Sequence, residues 1–411
     1  MLTDRGIGLA GGAVALWLAA RGFGVPELQM AAVAALALLI GAIIFTRLSS
    51  ARLEVERSVR PTRMFHDAEA RVTCTVRNTS RLPTAMLELH DTVPAALGPR
   101  GADLISGPLA PGATRTLAYH LRGHQRGRFQ IGPLTARLRD PFGLVARRVK
   151  LPGTEDLVVY PPVWRLPEGV PLGGVTTSGG HGRPRPLAGG DDLANVREYV
   201  RGDDLRKVHW PTTAHRGKLM IRQPESPQDP RAVVLLDVRK HAHVGYGPSS
   251  SLEAAVTTAA SAIHHLAAHG RAVTLVDRPV GGAPSPQPWQ AWLARLAEVQ
   301  AEDVDLPTTL HQLAGGIAGD GMLLAVLTVP DPAELRLLVR TGRSFNTRSV
   351  VLVDAGSHGG RVRDRRDPAG VAAQLRQAGW HVTVLAAGDR IDQRWGELAL
   401  HAGRMPAGAG R

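Results

Sequence analysis

Asp203, Asp204 and His209 fall within one short stretch with Arg206 between them, and no other part of the chain is as dense in groups that could do chemistry. Two carboxylates and an imidazole are oxygen and nitrogen ligands for a divalent cation, and a neighbouring arginine can orient an anion. A metal-dependent hydrolase is therefore one chemistry these residues could support. Adjacent carboxylates, however, point in different directions unless the backbone turns sharply. Arg197, Arg206, His215 and Arg216 lie close in sequence and satisfy the carboxylates more simply as ion pairs. The residues thus favour a non-enzymatic role, with the hydrolase as the alternative.

The remaining chemical signals are weaker. Cys74 is the one cysteine, which excludes an intrachain disulfide framework and every multi-cysteine metal site. It sits in an alternating run and reads as a small buried strand residue. His264, His265 and His269 recur at helical spacing without a carboxylate or thiol to complete a site, so a helix surface is expected. Gly245-Tyr246-Gly247-Pro248 lacks the third glycine of a dinucleotide loop, and Gly217-Lys218 has no upstream glycine at P-loop spacing. Neither Gly-x-Ser-x-Gly nor His-Glu-x-x-His occurs. No cofactor is expected.

The stretch holding the carboxylates runs from Val196 to Arg222. Gly202 with Asp203 and Asp204 reads as a turn entering a short helix with Leu205 and Val208 facing inward. Pro211 should stop that helix near Trp210, and residues 218–222 then alternate like a strand with Leu219 and Ile221 on one face. Trp210 and Leu205, large apolar groups in a charged run, are expected to anchor the segment. Arg197-Glu198-Tyr199, Gly202-Asp203-Asp204, Leu205-Arg206, Val208, Trp210 and Gly217-Lys218-Leu219 together resemble the hallmark of the bacterial domain of unknown function 58 family. After Ala214 the usual arginine of that hallmark is His215. Arg126-Gly127-Arg128-Phe129 and Asp140-Pro141-Phe142-Gly143-Leu144 also look like landmarks of the family. The resemblance implies association with a MoxR-type AAA+ ATPase in an envelope-associated assembly or chaperone-like process.

These residues need elements to hold them. At 411 residues and 44% hydrophobic the chain can build two or three packed units. A net charge of +13 invites a nucleic-acid partner, but aromatics at 4% and scattered arginines do not make a stacking groove, and membrane lipid suits the charge better. Residues 7–20 and 28–45 are apolar runs that read as a transmembrane helical hairpin over 1–46. A cleavable leader would explain the first run, yet the second has stop-transfer length. Arg47, Arg52, Arg57, Arg60 and Arg63 follow it, so a multi-pass protein of the cell membrane with two helices and cytoplasmic soluble domains is expected.

Alternation over 47–160 predicts a β-sandwich, Ig-like in a loose sense. Pro- and Gly-rich residues 161–190 read as a linker, followed by the hallmark segment at 191–230. Strands alternating with helices over 231–395 predict a doubly wound α/β domain, and 396–411 a flexible tail. Ser250 with Glu253 forms a candidate capping box. The α/β half resembles a von Willebrand factor type A domain, whose first strand would end in Asp-x-Ser-x-Ser around a metal. Here those positions read Asp237-Val238-Arg239-Lys240-His241, and Val329 stands where a second acidic residue would contribute. The site is degenerate, and no metal is expected in it. A membrane-anchored scaffold or adaptor is the function these observations imply.

Overall fold

The computed structural model describes residues 2–49, 53–98, 101–168, 196–199, 208, 210–222, 231–279, 285–316, 321–359 and 367–400. These fall into two compact units. The first comprises Met1–Trp164, Tyr246–Ser261 and Gln290–Ala301, and the second Arg165–Gly245, Ala262–Trp289 and Glu302–Arg411.

The first unit opens with α1 (Asp4–Phe23) and α2 (Pro26–Ser49). Thr3 caps α1, its hydroxyl accepting from Gly6 N–H, and Gly24 ends it in the left-handed region at φ +69°. Both helices are long and apolar enough to cross a membrane. They present Val14, Leu18, Val33, Leu36, Ile40 and Ile44 outward.

Ten strands follow: β1 (Leu53–Arg60), β2 (Arg63–Met64), β3 (Glu69–Asn78), β4 (Met86–Asp91), β5 (Ala102–Ser106), β6 (Thr114–Arg122), β7 (Gly127–Ile131), β8 (Leu134–Arg139), β9 (Ala146–Leu151) and β10 (Glu155–Val159). They pair as β1-β3-β6, β5-β4-β8-β9 and β2-β10-β7. Strict alternation in β3 buries Ala70, Val72, Cys74, Val76 and Asn78 and turns the intervening residues outward. The core has two parts. Val72 and Cys74 pack with Ile131, Leu157 and Val159, while Val76 packs with Leu87, Leu134 and Leu138. Arg57 lies inside this core, donating to Asp91 Oδ1 at 2.7 Å and Oδ2 at 3.2 Å. It is therefore not one of the surface cations its place in the sequence suggests. Asp91 also accepts from the Tyr119 hydroxyl at 2.7 Å, and the Cys74 thiol approaches it at 3.7 Å. Burial pushes that thiol up to about 11, with the Asp91 charge adding to the rise.

In the second unit β11 (Val196–Glu198) pairs antiparallel with β12 (Met220–Arg222), and α3 (Trp210–Arg216) lies between them in sequence. A parallel sheet of β13 (Arg231–Leu236), β14 (Ala272–Val276), β15 (Met322–Thr328), β16 (Thr347–Val353) and β17 (His381–Leu385) is ordered β14-β13-β15-β16-β17. All seven residues of β15 are buried, as expected for a parallel strand covered on both faces. The helices of this unit are α6 (Leu306–Gly316), α7 (Pro332–Gly342) and α8 (Pro368–Gln377), whereas α5 (Trp289–Glu298) belongs almost wholly to the first unit and α4 (Ser251–Ala268) is divided between the two at Ser261. Leu310 and Leu313 of α6, Leu338 of α7 and Leu375 of α8 pack with Val233, Leu235, Leu323, Leu327 and Leu352 of the sheet. Helical structure reaches Leu400 and Leu398 is buried, so the first residues of the expected tail belong to the fold.

Candidate functional site

The two ends of the hallmark stretch meet as a β-ladder. Arg197 stands opposite Ile221 and Glu198 opposite Met220, and Tyr199 N–H donates to Leu219 O at 2.8 Å, next to Lys218. Two expectations need correction. Pro211 does not stop a helix; it occupies the first turn of α3, where its missing N–H costs nothing. The helix ends instead at Gly217, at φ +69°, whose N–H returns to Thr213 O. Met220 is buried and its N–H donates to Thr213 Oγ1 at 3.0 Å, while Leu219, just before the strand, is exposed. Val208 is buried as expected, but Trp210 is 68% exposed and anchors nothing. Gly202, Asp203, Asp204, Leu205, Arg206 and His209 lie outside the described residues.

At the C-terminal end of the parallel sheet, Asp237 follows β13 and Thr328 closes β15. Open parallel sheets place ligand crevices at such strand ends. Here the position is filled from within. Arg239 folds back so that its Nε donates to Asp237 Oδ1 at 2.9 Å and its Nη2 to Asp237 Oδ2 at 2.8 Å. Its Nη1 donates to Glu334 Oε1 at 2.6 Å, and its Nη2 also reaches Thr328 Oγ1 at 3.3 Å. The Thr328 hydroxyl donates to Asp237 Oδ2 at 2.7 Å. Every member is buried. A planar guanidinium with five donors suits two carboxylates better than an ammonium would.

Burial pushes the Asp237 carboxyl upward, but the hydrogen bonds and charge of Arg239, with help from His243 and Thr328, outweigh it and hold the carboxyl down at about 2. Burial likewise lowers Arg239, and the two carboxylates more than reverse that. His243 Nε2 donates to Asp237 O at 2.9 Å, and burial is the main influence lowering its pKa. His241 is exposed, and Val329 contributes no ligand atom from its side chain. Glu334 was not foreseen as a member. Its signal was the Asp331-x-x-Glu334 capping box of α7, where Asp331 accepts from Ala333 and Glu334 N–H while Glu334 Oε2 accepts from Asp331 N–H at 2.7 Å. The acidic residue nearest the missing position, Asp331, is thus spent on a helix cap. Among the described residues no group of three or more His, Cys, Asp or Glu side chains could hold a metal ion.

The histidines of α4 also depart from expectation. His265 is buried rather than on a helix surface, edge-on to Trp395 with ring centroids 5.9 Å apart. Burial, with His269 close by, lowers it to about 4.

In the first unit a cleft of about 610 Å³ is lined by His66, His124, Arg126, Arg128, Glu253 and Glu298 among others. Arg126 pairs with Glu253 at 2.9 Å and donates to Val299 O at 2.7 Å, capping the C-terminal end of α5. Burial is the largest influence on both partners, lowering Arg126 and raising Glu253. Arg128 Nε donates to Glu298 Oε1 at 2.6 Å. The Arg126-Gly127-Arg128 landmark therefore ties β7 to α4 and α5. Glu253 is committed to Arg126, and of the expected capping box only the Ser250 half forms, its hydroxyl accepting from Glu253 N–H at 3.3 Å.

Among curated proteins, the chain is 23% identical over 228 residues to the uncharacterized protein YeaD of Bacillus subtilis strain 168, a match covering 54% of this chain and 55% of that one. The chain thus spans about half the length of this relative. Among solved structures it is similar to a CARDB domain from Pyrococcus furiosus, 19% identical, covering 26% of this chain and 87% of that one at a TM-score of 0.21. Red sea bream transglutaminase is 14% identical, covering 26% of this chain and 15% of that one at a TM-score of 0.20. Scores this low carry nothing about fold or activity. The model of the family described as "Protein of unknown function DUF58" matches residues 195–280, spanning the β11-α3-β12 ladder, β13, the Arg239 crevice residues through His243, α4 and β14, and with the YeaD match it supports that family for this chain.

Proposed function

We propose that the protein is a membrane-anchored, non-enzymatic scaffold or adaptor whose α/β region is a metal-less relative of the type A domain and whose strand-rich region is a β-sandwich. The observation that carries this is the Arg239 guanidinium held between Asp237 and Glu334 at the sheet's C-terminal end. It supplies internally the positive charge that a type A domain takes from a cation, leaving no open carboxylate there to bind metal or act on a substrate. α1 and α2 supply the anchor, and the arginines after α2 favour a cytoplasmic location for the rest. The family resemblance adds the MoxR-type AAA+ ATPase as the partner to test first.

Calorimetric titration of the full-length protein with Mg²⁺ or Mn²⁺ should show no stoichiometric binding. Hydrolysis of phosphodiester, phosphomonoester or peptide substrates that disappears in Asp203→Ala would replace this reading by the hydrolase. Crosslinking in membranes should capture the AAA+ protein, and alkaline phosphatase fused after Arg63 should be inactive. High phosphatase activity there would reverse the orientation.

A further inference from the structure

The Asp140-Pro141-Phe142-Gly143-Leu144 turn takes no part in the crevice or the cleft, yet it is one of the most tightly specified features of the first unit. Asp140 is buried and organises it. Its Oδ1 accepts from Phe142 N–H at 2.9 Å, its Oδ2 from Val145 N–H at 2.6 Å, and its carbonyl from Gly143 N–H at 3.0 Å. Gly143 takes φ +69°, a conformation L side chains rarely adopt. The turn is clamped onto the helical hairpin. Thr3 Oγ1 donates to Gly143 O at 2.6 Å and Thr3 N–H to Leu144 O at 3.0 Å, while Leu2 bridges to Val145. Gly6 leaves the space that the Leu144 carbonyl occupies, where any Cβ would collide with it. Leu144 and Val145 are buried against Leu39 and Ala42 of α2, with Leu9, Ala10 and Ile43 around them.

Those contacts set a depth. Arg47 is the first charged residue after the apolar stretch of α2. At 1.5 Å per residue, Ala42 and Leu39 lie about 8 and 12 Å along the helix from it, on the hydrocarbon side. An element packed against them is therefore at or inside the headgroup boundary, the depth at which interfacial helices bury their apolar faces. At the tip of the turn Phe142 is 59% exposed although it is large and apolar. Arg5 lies beside Gly143, and Arg147 and Arg148 are exposed on β9 a few residues after the turn, so cations flank the apolar tip along the chain.

We infer that the 140–144 turn is a third membrane contact, with Phe142 seated among the acyl chains of the leaflet next to the strand-rich region and Arg5, Arg147 and Arg148 at the level of anionic headgroups. This rests on the reading of α1 and α2 as spanning helices. A lipid leaflet is the occupant because the contact is continuous with the apolar outer surface of the hairpin and because cations flanking an aromatic tip complement anionic headgroups.

The test uses the full-length protein in phosphatidylcholine–phosphatidylglycerol vesicles, with buried Cys74 left in place. An environment-sensitive fluorophore is attached to Phe142→Cys, to Leu36→Cys on the exposed face of mid-α2, or to Gln125→Cys in the turn beyond β6. Phosphatidylcholine brominated on its acyl chains should quench the labels at 142 and 36 several-fold more than the label at 125. Quenching at 36 with none at 142 overturns the wedge and leaves the anchor standing. A label at 142 shielded from both bromolipid and aqueous iodide overturns it in favour of a protein occupant. No quenching at 36 removes the hairpin reading and the wedge with it.

Discussion

Arg239 shows how one side chain can decide the character of a site. Its charge is matched by Asp237 and Glu334, and removing it leaves two buried carboxylates facing each other across a void. Arg239→Ala should therefore cost about 3–5 kcal/mol, the penalty for stranding a buried charge, read as a fall in the midpoint of urea denaturation. Arg239→Lys should recover little of it, since one ammonium cannot serve two carboxylates in a plane. Trp210 makes the opposite case. Its size argued for burial, but α3 turns it to solvent, so Trp210→Ala should change stability by no more than about 0.5 kcal/mol in the same measurement. Side-chain character was legible in Cys74, because a small thiol in an alternating strand has one physical reading. Trp210 and His265 were not legible, because which face of a short helix meets the core depends on contacts remote in sequence.

At the scale of elements, the strands and helices with strong periodicity were readable nearly to the residue: alternation and apolar runs put strands at 70–77, 127–131 and 322–328 and helical spacing puts helices at 252–269 and 369–378, where β3, β7, β15, α4 and α8 lie. Missed elements had weak local signals. The two-residue β2 and the mixed-polarity β5 and β10 exist through pairing with distant strands, and α6 carries Pro307 in its first turn, which reads locally as a breaker. Within the strand-rich region the cross-links are specific. Arg57→Ala would leave Asp91, with Tyr119 and Cys74 around it, without its cation, and should lower the unfolding midpoint by the equivalent of about 3–5 kcal/mol. The native Cys74 thiol should resist alkylation at pH 8 and react once the protein is unfolded, because burial holds it protonated far above that pH.

α4 carries a pH dependence. His265 titrates near 4 in the folded protein, against 6.5 for the exposed side chain, so between those values the unfolded chain binds more protons than the native one. Stability therefore rises with pH across that window. The penalty is absent above about pH 7, grows as pH falls through 6.5, and levels off below about 4, reaching at most about 3 kcal/mol. His265→Phe should flatten the stability profile between pH 4 and 6.5, provided the larger ring is accommodated beside Trp395. A profile unchanged by that substitution would assign the window to other groups.

Over the whole molecule, length, charge and hydropathy were enough to expect two apolar helices, a strand-rich region and a parallel α/β region in that order, and that order is what the chain adopts. What they could not supply is how the chain divides, because the first compact unit is assembled from three stretches far apart in sequence, the last ending at Ala301. That division bears on how the protein is made. At ribosomal rates of about 5–20 residues per second, the roughly 140 residues between Trp164 and Ala301 take on the order of 7–30 s to emerge. Through that interval the hairpin and the strands are already synthesised, while Arg126 and Arg128 await Glu253, Glu298 and the end of α5. The unit therefore closes only after Ala301 has been made, and until then Arg126 and Arg128 lack the partners they hold in the finished fold.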